Sequence, residues 1–472
     1  MKNKNIVGKI ITILQLLVSV ICTVVAWNSG LLPKKYMMIF AAGLVILFVL
    51  THVFQYPQNK ILRYIGMIVS LMIIIVLSGL CVQLIKADDL IKKVGGATYK
   101  TDNMIVVVKK DDKAENIEDA QNYRFGYQMV IDSDNTQKML NDIKSTVGRD
   151  IKAEEYSTLV DEANALLNGN VDAAVFNEGY IGIIDDSIEG FSDNVKTLYQ
   201  YGIKTEVKTD TTTSVNDSFN IYISGIDVSG PITTNSRSDV NLIMTVNPKK
   251  KKILITTTPR DYYIAIPDVS GDQRDKLTHA GIYGVDASMK TLENLYGINI
   301  NYYARINFTS LVKIVDALGG VDVNSDYEFK TMHGDYEIKK GMNHLTGEMA
   351  LGFVRERYSF EDGDNQRGKN QEKILTAMIQ KACTPAILKN ARAVVEGVSD
   401  SVQTNMTSDE IAEFINAQIE NPTGWEINSQ AVGGTGDTQT CFSSGNELLY
   451  VMWPDEDSVK NAAGQIQKLE KE

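Results

Sequence analysis

The chain has 472 residues, a formal net charge of −12 and four cysteines. That length allows two or three domains. The acidic balance excludes a surface that binds nucleic acid in bulk, and the lack of any Cys-x-x-Cys pair excludes the common zinc spacings.

The chain is not uniformly soluble in character. Residues 1–86 contain no Asp or Glu and hold three apolar runs, at 10–27, 36–54 and 64–85. Each is long enough to cross a hydrocarbon core as a helix, which takes about 20 residues. A cleaved signal peptide would carry one shorter apolar core instead. Lys2, Lys4 and Lys9 precede the first run, and Lys60 and Arg63 separate the second from the third, against only Lys34 and Lys35 between the first two. That bias places the N-terminus in the cytoplasm and everything after Lys86 outside the membrane. The first 86 residues carry eight Lys/Arg, so the outer part is more acidic than the whole chain, and any basic cluster there is local. Cys22 and Cys81 sit in the spans. Cys383 and Cys441 lie outside, where a disulfide can form and persist, although sequence does not decide whether they pair.

After the spans the chain alternates strands and short helices, as an α/β unit does. Residues 103–108 form a β-branched apolar run, read as a buried strand. A short helix is expected from Asn116, a strand over 123–131, helices over 133–147 and 156–168, and a strand over 172–176. The stretch 167–178 resembles one lobe of the extracytoplasmic solute-binding fold; no second lobe is visible, so no solute binding is inferred. Residues 205–217, rich in Thr, Asp and Lys, read as a linker.

A second αβ pattern follows. Strands are expected at 220–226, 240–246, 253–257 and 302–306. Helices are expected at 286–295 and 308–318, the latter stopped by Gly319-Gly320. Val321 opens a short strand. Residues 345–353 read as a helix running into a strand that carries Arg355. Beyond Pro385, helices are expected at 386–400, 407–419 and 456–470, with strands before the last.

Residues 355–371 concentrate the charge: three arginines, one lysine, four carboxylates and two glycines in seventeen positions. On a strand, Arg355 and Arg357 share a face and Glu356 turns away. Gly363 lets the chain turn sharply, and Arg367 and Gln371 share one face of the next helix. Converging arginines suit an anionic ligand, above all a diphosphate. Two further Arg–Asp pairs stand near strand ends: Arg237 and Asp239, two apart on one strand face, and Arg260-Asp261. Asp with arginines and no zinc-type ligands suggests Mg²⁺ held by oxygen ligands and substrate phosphates. No Gly-x-Ser-x-Gly, His-Glu-x-x-His or phosphate-loop signature is present. His279, His333 and His344 are scattered and read as structural.

The segments Ser236-Arg-Ser-Asp-Val240, Thr258-Pro-Arg-Asp261, Lys276-Leu-Thr-His-Ala280, Ala317-Leu-Gly-Gly-Val-Asp322, Val354-Arg-Glu-Arg-Tyr358 and Asp362-Gly-Asp-Asn-Gln-Arg367 together resemble the LytR–CpsA–Psr family. Three spans with an accessory domain are similar to its capsule-associated branch. The resemblance implies an α/β protein with membrane helices at 1–86, a small α/β accessory domain at 87–213, and a larger catalytic domain at 214–472 (core 219–385). The larger domain would be a mixed central sheet flanked by helices, with an apolar channel for a polyprenyl chain. It also implies an activity: Mg²⁺-dependent transfer of a glycopolymer, capsular or teichoic-acid-like, from a polyprenyl-diphosphate carrier to peptidoglycan, with the membrane spans free to meet polymer-assembly proteins. By motif, Asp239 would help hold the metal. Arg237, Arg260, Lys276, Arg355, Arg357, Arg367 and Gln371 would bind the diphosphate, with Asp239, Arg260, Arg355 and Arg357 at the chemistry. One departure stands out: many members have Arg-Gln where this chain has Asn370-Gln371, which leaves a basic contact missing or supplied by Lys369. Two other readings remain open, a non-catalytic polyprenyl-diphosphate-binding regulator and a polyprenyl-diphosphate hydrolase. A DNA-binding regulator conflicts with the expected topology.

Overall fold

A computed structural model describes residues 6–30, 33–57, 59–94, 99–206, 217–226, 232, 234–361, 363–382, 384, 402–421 and 423–472. The chain forms two compact units. The first contains helices α1 (Ile6–Asn28), α2 (Lys34–Val53) and α3 (Lys60–Val94), together with the helix Ser408–Glu420. Ile6–Asn28, Lys34–Val53 and Lys60–Lys86 are long and apolar enough to cross a membrane. Their burial is inverted relative to a soluble bundle. Thr12, Gln15, Ser19, Thr51 and Ser70 are inside, whereas Ile10, Ile13, Ile39, Ile46 and Ile75 face outward. Thr51 Oγ1 donates to Gln15 Oε1 at 2.9 Å, tying α2 to α1. An apolar exterior around a small polar seam is what helices need in lipid, where tails are as apolar as the side chains.

Beside four two-stranded sheets, the described residues of the second unit form two larger ones. The smaller is built from β1 (Tyr99–Lys109), β2 (Arg124–Gln128), β3 (Lys152–Tyr156), β4 (Ala173–Asn177) and β5 (Val195–Glu206), in the order β3-β2-β4-β1-β5. β2 runs parallel to β3 and β4, while β1 is antiparallel to β4 and β5. Helices α4 (Ser133–Val147), α5 (Leu159–Asn168), α6 (Ile181–Ser187) and α7 (Phe191–Asn194) complete it. β5 was not legible because its burial is ragged, with one fully buried residue in twelve. The expected helix at Asn116 is a run of turns, and the helix expected from Tyr156 starts at Leu159, capped by Thr158 Oγ1. The linker expected at 205–217 lies mostly outside the described residues.

The larger sheet comprises β6 (Phe219–Ile226), β7 (Ser238–Asn247), β8 (Lys252–Thr257), β9 (Tyr302–Asn307), β10 (Val402–Thr404) and β11 (Glu426–Ala431), in the order β10-β9-β6-β7-β8-β11. It is mixed: β9/β6 and β11/β8 are parallel, the other pairs antiparallel. Strand alternation divides its faces. Tyr222, Ile243 and Leu254 join Leu292 and Tyr296 of helix α9 (Val285–Tyr296) and Val459 and Ile466 of the C-terminal helix Glu456–Lys471 in one core. The adjacent Ile223 and Leu242 face the opposite way, toward helices α10 (Phe308–Ala317), α11 (Gly347–Arg355) and α12 (Gly363–Ala382). The two sheets share buried contacts. Ile282 of helix α8 (Leu277–Tyr283) packs in the core of the small sheet, and Asn235 Nδ2 donates to the buried Asp102 carboxylate at 2.7 Å. α8 was missed from sequence because a seven-residue helix with six consecutive buried residues, polar Thr278 and His279 among them, has no amphipathic period. The helix expected at 386–400 lies outside the described residues. Cys441 is a buried free thiol, and Cys383 lies outside the described residues.

Candidate functional site

Several of the arginine-bearing segments converge on one cavity of ≈ 560 Å³ on the α10–α12 face of the large sheet. Its wall includes Arg237, Asp239, Arg260, Arg355, Arg357, Arg367 and Gln371. Lys276 does not line it: the side chain is almost fully buried with Nζ 2.8 Å from Asp261 Oδ1.

Asp239 sits where it does because β7 carries an extra residue. Gly225 pairs with Val240 and Ile226 with Ser238, so the register slips by one at Asp239. Such a bulge re-aims a side chain and is common beside active sites. Gly225 permits it, because a Cβ there would lie 2.6 Å from Val240 Cγ2. The expected sharing of one strand face by Arg237 and Asp239 is therefore corrected: Arg237 precedes the strand and Asp239 is the bulged residue. Arg260 Nη1 and Thr278 Oγ1 both donate to Asp239 Oδ1 at 3.1 Å. Burial pushes the Asp239 carboxyl up, but the charges of Arg260, Arg237 and Arg367 outweigh that and hold its pKa below the ordinary value. Thr278 was missed from sequence; the quoted Lys276–Ala280 motif pointed to the segment but not to its hydroxyl.

Arg355 and Arg357 are not on a strand. Arg355 ends α11, and Arg357 follows in a short extended turn. The helix stops at Glu356, whose buried carboxylate accepts from Met332 N at 2.8 Å and Ser359 N at 3.0 Å. Pinning Glu356 inward leaves its two neighbours facing the cavity, the outcome a strand would also have given. The Arg355 guanidinium stacks 4.4 Å over the Phe308 ring, and Arg357 lies 4.7 Å over Tyr358. Arg357 Nη2 also donates to the Tyr358 hydroxyl at 2.5 Å, so this ring and its hydroxyl together hold the guanidinium. Gly363 does not make a left-handed turn; it begins α12, and a Cβ there would come within 3.0 Å of Arg357 O.

α12 gives the cavity its polarity. Arg367, Gln371, Ile374, Leu375 and Met378 all line it, spaced as one helix face. From Arg367 to Met378 that face runs about 16 Å at 1.5 Å per residue. It passes from charged through polar to apolar. Ile223, Leu242, Ile306 and Leu311 continue the apolar part on the sheet and α10. Asn370 points inward instead, its Nδ2 3.3 Å from Phe353 O, so the position where the family resemblance leads one to expect Arg serves to pack α12 on α11. Lys369 faces a second cavity of ≈ 490 Å³, lined also by Asp239, Arg260, Arg367, Gln371, Thr258 and Tyr450. The two cavities meet at Asp239, Arg260, Arg367 and Gln371.

His279, His333 and His344 each face a carboxylate. His279 is fully buried, with Nδ1 2.6 Å from Asp275 Oδ1 and 2.9 Å from Ser443 Oγ. His344 pairs with Asp322 at 2.8 Å. His333 stands on the cavity wall with Nε2 3.5 Å from Glu348. Among the described residues no group of three or more His, Cys, Asp or Glu side chains could hold a metal alone. One ionised carboxylate fits Mg²⁺ in the form usual for phosphate chemistry, bound by one or two carboxylates plus substrate oxygens.

The model of the LytR_cpsA_psr family matches residues 187–463, more than half of the chain. A model for a DNA polymerase processivity factor matches residues 62–176, well under half, from within α3 into the small sheet. The chain is 37% identical over 202 residues to the polyisoprenyl-teichoic acid–peptidoglycan teichoic acid transferase TagU of Bacillus cereus, covering 43% of this chain and 64% of that protein. It is 32% identical over 200 residues to the protein of the same name from Enterococcus faecalis, covering 42% and 65%. The match thus spans a little under two thirds of these relatives. A crystal structure of Bacillus subtilis TagV (24% identity, TM-score 0.47, 55% of this chain and 99% of that one) and a solved structure of TagT bound to LI-WTA (26%, 0.44, 54% and 92%) also match. At scores below 0.5 they add nothing to the sequence match. On the match over 187–463, the chain belongs to the LytR–CpsA–Psr family.

Proposed function

We propose that the protein is an extracytoplasmic transferase that moves a glycopolymer from a polyprenyl-diphosphate carrier to peptidoglycan. One observation carries this reading: a single cavity has apolar walls at one end and five arginines with Asp239 at the other. A lipid diphosphate has that same division, and arginines are the side chains best suited to its phosphates. The named activity of the TagU relatives supports the same class of reaction. The polymer in this reading is capsular or teichoic-acid-like, the second supported by the names of the TagU relatives.

In this reading the carrier lipid lies along Ile374, Leu375 and Met378, and its diphosphate sits among Arg237, Arg260, Arg355, Arg357, Arg367 and Gln371. A peptidoglycan hydroxyl approaches from the second cavity. Its oxygen forms a bond to the phosphorus carrying the glycan, the anhydride P–O bond breaks, and polyprenyl phosphate leaves while the hydroxyl proton passes to solvent. The arginines offset the charge on the leaving phosphate. Asp239, with its lowered pKa, is a poor proton acceptor and a good oxygen ligand. It would hold Mg²⁺, which when bound neutralises phosphate charge. Three membrane-spanning helices with the N-terminus in the cytoplasm would tether the site at the outer leaflet, where such a carrier resides, and the spans are available to polymer-assembly proteins.

The test is a reconstitution of the full chain in detergent with a defined polyprenyl-diphosphate glycan and peptidoglycan, with and without Mg²⁺. The expected product is glycan phosphate linked to peptidoglycan, with polyprenyl phosphate released. Free glycan phosphate formed equally without acceptor would make the protein a hydrolase. Binding without turnover would make it a regulator.

A further inference from the structure

Helix α6 belongs to the small sheet, yet its Asp186 lines the arginine cavity. Arg237 Nη1 lies 3.4 Å from Asp186 Oδ2. Four residues earlier, and so on the same helix face, Gly182 lies directly against the same guanidinium. A Cβ at Gly182 would sit 2.5 Å from Arg237 Cζ, 2.7 Å from Nη2 and 2.8 Å from Nε. Bare backbone and a carboxylate one turn apart therefore form a cradle for Arg237. The cradle is rigidly mounted. Ile183 and Ile184 are fully buried in the small-sheet core with Phe176 and Phe191, and Asp185 Oδ1 accepts from Ser192 N at 2.9 Å. Gly182 carries no left-handed φ, so space rather than backbone conformation explains the missing side chain.

We propose that the small α/β domain completes the diphosphate site, with Asp186 the positioning residue for Arg237 and Gly182 the gap that admits its guanidinium. Arg237 offers several N–H donors in one plane. Asp186 engages one edge, which fixes how the others are presented to a phosphate. Among the described residues of the larger domain no carboxylate accepts a hydrogen bond from Arg237: Asp239, nearest in the chain, feels its charge but takes its hydrogen bonds at Oδ1 from Arg260 and Thr278. The inference rests on the reading of Arg237 as a diphosphate ligand.

Charge alone predicts the opposite effect, because deleting a carboxylate beside an anion site should tighten anion binding. The experiment uses the full chain in detergent and farnesyl diphosphate as probe, with Kd measured at fixed ionic strength and thermal melting as a control. Asp186→Asn and Gly182→Ala are each expected to weaken binding about five-fold. Asp186→Glu should recover most of it, and neither change should add to the loss in an Arg237→Ala background. Gly182→Ala should leave the melt unchanged or raised, since alanine favours helix and its only obstacle is a flexible side-chain end. Asp186 is open enough to water that its ion pair contributes little to folding. Unchanged or tighter binding in Asp186→Asn and Gly182→Ala, with Arg237→Ala still impaired, would overturn the positioning role and leave the transferase reading standing. Unchanged binding in Arg237→Ala would remove the diphosphate role of Arg237 and this inference with it.

Discussion

Thr278 donates to the same oxygen of Asp239 that Arg260 does, from a helix that begins only one residue earlier. The hydroxyl and the guanidinium fix the carboxylate from two sides and leave it charged. Replacing Thr278 by Val keeps shape and removes the donor. Transfer activity should fall about ten-fold, in line with the 1.4 kcal/mol that a tenfold rate change represents and with a typical hydrogen bond to a charged group. Thr278→Ser should retain activity. A Val variant with full activity would show that Arg260 alone orients Asp239.

Lys276 and Asp261 form a nearly buried pair, side chains 11% and 7% exposed. Lys276→Met should therefore act through folding: among the described residues it leaves the buried Asp261 carboxylate with only the longer Arg260 Nε contact at 3.5 Å, a loss of up to about 3–5 kcal/mol. The double variant Lys276→Met with Asp261→Asn should recover most of that in a denaturant titration. Farnesyl diphosphate binding by the folded fraction should stay within about two-fold of the original. A selective loss of binding at unchanged stability would restore Lys276 to the ligand set.

These two cases show what sequence could carry. The convergence of Arg237, Arg260, Arg355, Arg357 and Arg367 was legible because charges dense in an acidic chain, set near element ends, have few reasons to be there. The reasons for convergence were not. Asp239 is aimed by a bulge whose existence depends on how Gly225 meets Val240 across two strands. Glu356 holds Arg355 and Arg357 apart through a backbone amide more than twenty residues away. Lys276 matched its motif yet turned inward, because its partner Asp261 is set by a neighbouring turn. Pairings between distant segments leave no period in sequence, whereas the amphipathic face of α10 and the apolar spans do.

Burial raises the pKa of three carboxyls of the small α/β domain, Asp102, Glu162 and Asp132, and each makes stability fall with rising pH; the last two serve as the test. Burial raises Glu162 well above its usual range, with only Val175 N donating to Oε1 at 2.8 Å to oppose it. Burial likewise pushes Asp132 up to about 6, against hydrogen bonds from Asn177 and Asn135. A carboxyl with a raised folded pKa contributes stability that is complete below its unfolded pKa and is lost as pH rises through the folded one. Each group should cost up to about 1.4 kcal/mol per pH unit within its window. For Asp132 that window runs from the ordinary aspartate range to about 6. Asp132→Asn should flatten the slope there, and Glu162→Gln should flatten it from the ordinary glutamate range upward. Denaturant midpoints measured from pH 4 to 8 would check this; parallel slopes in all three proteins would contradict it.

The same cavity can be tested without touching an arginine. Met378 stands at the apolar end of the α12 face, two turns beyond Gln371. Met378→Trp should fill part of that end while leaving the charged end as it is. A long-chain polyprenyl-diphosphate donor should then show a KM raised about ten-fold or more, since overpacking costs about 1–3 kcal/mol. A short-chain donor should keep its KM, because its tail ends before the blocked region. Equal losses for both donors would mean that the lipid does not run along Ile374, Leu375 and Met378. A loss confined to the long chain would tie the apolar face of α12 to the carrier, and the order of side chains from Arg367 to Met378 to the order of groups in the substrate.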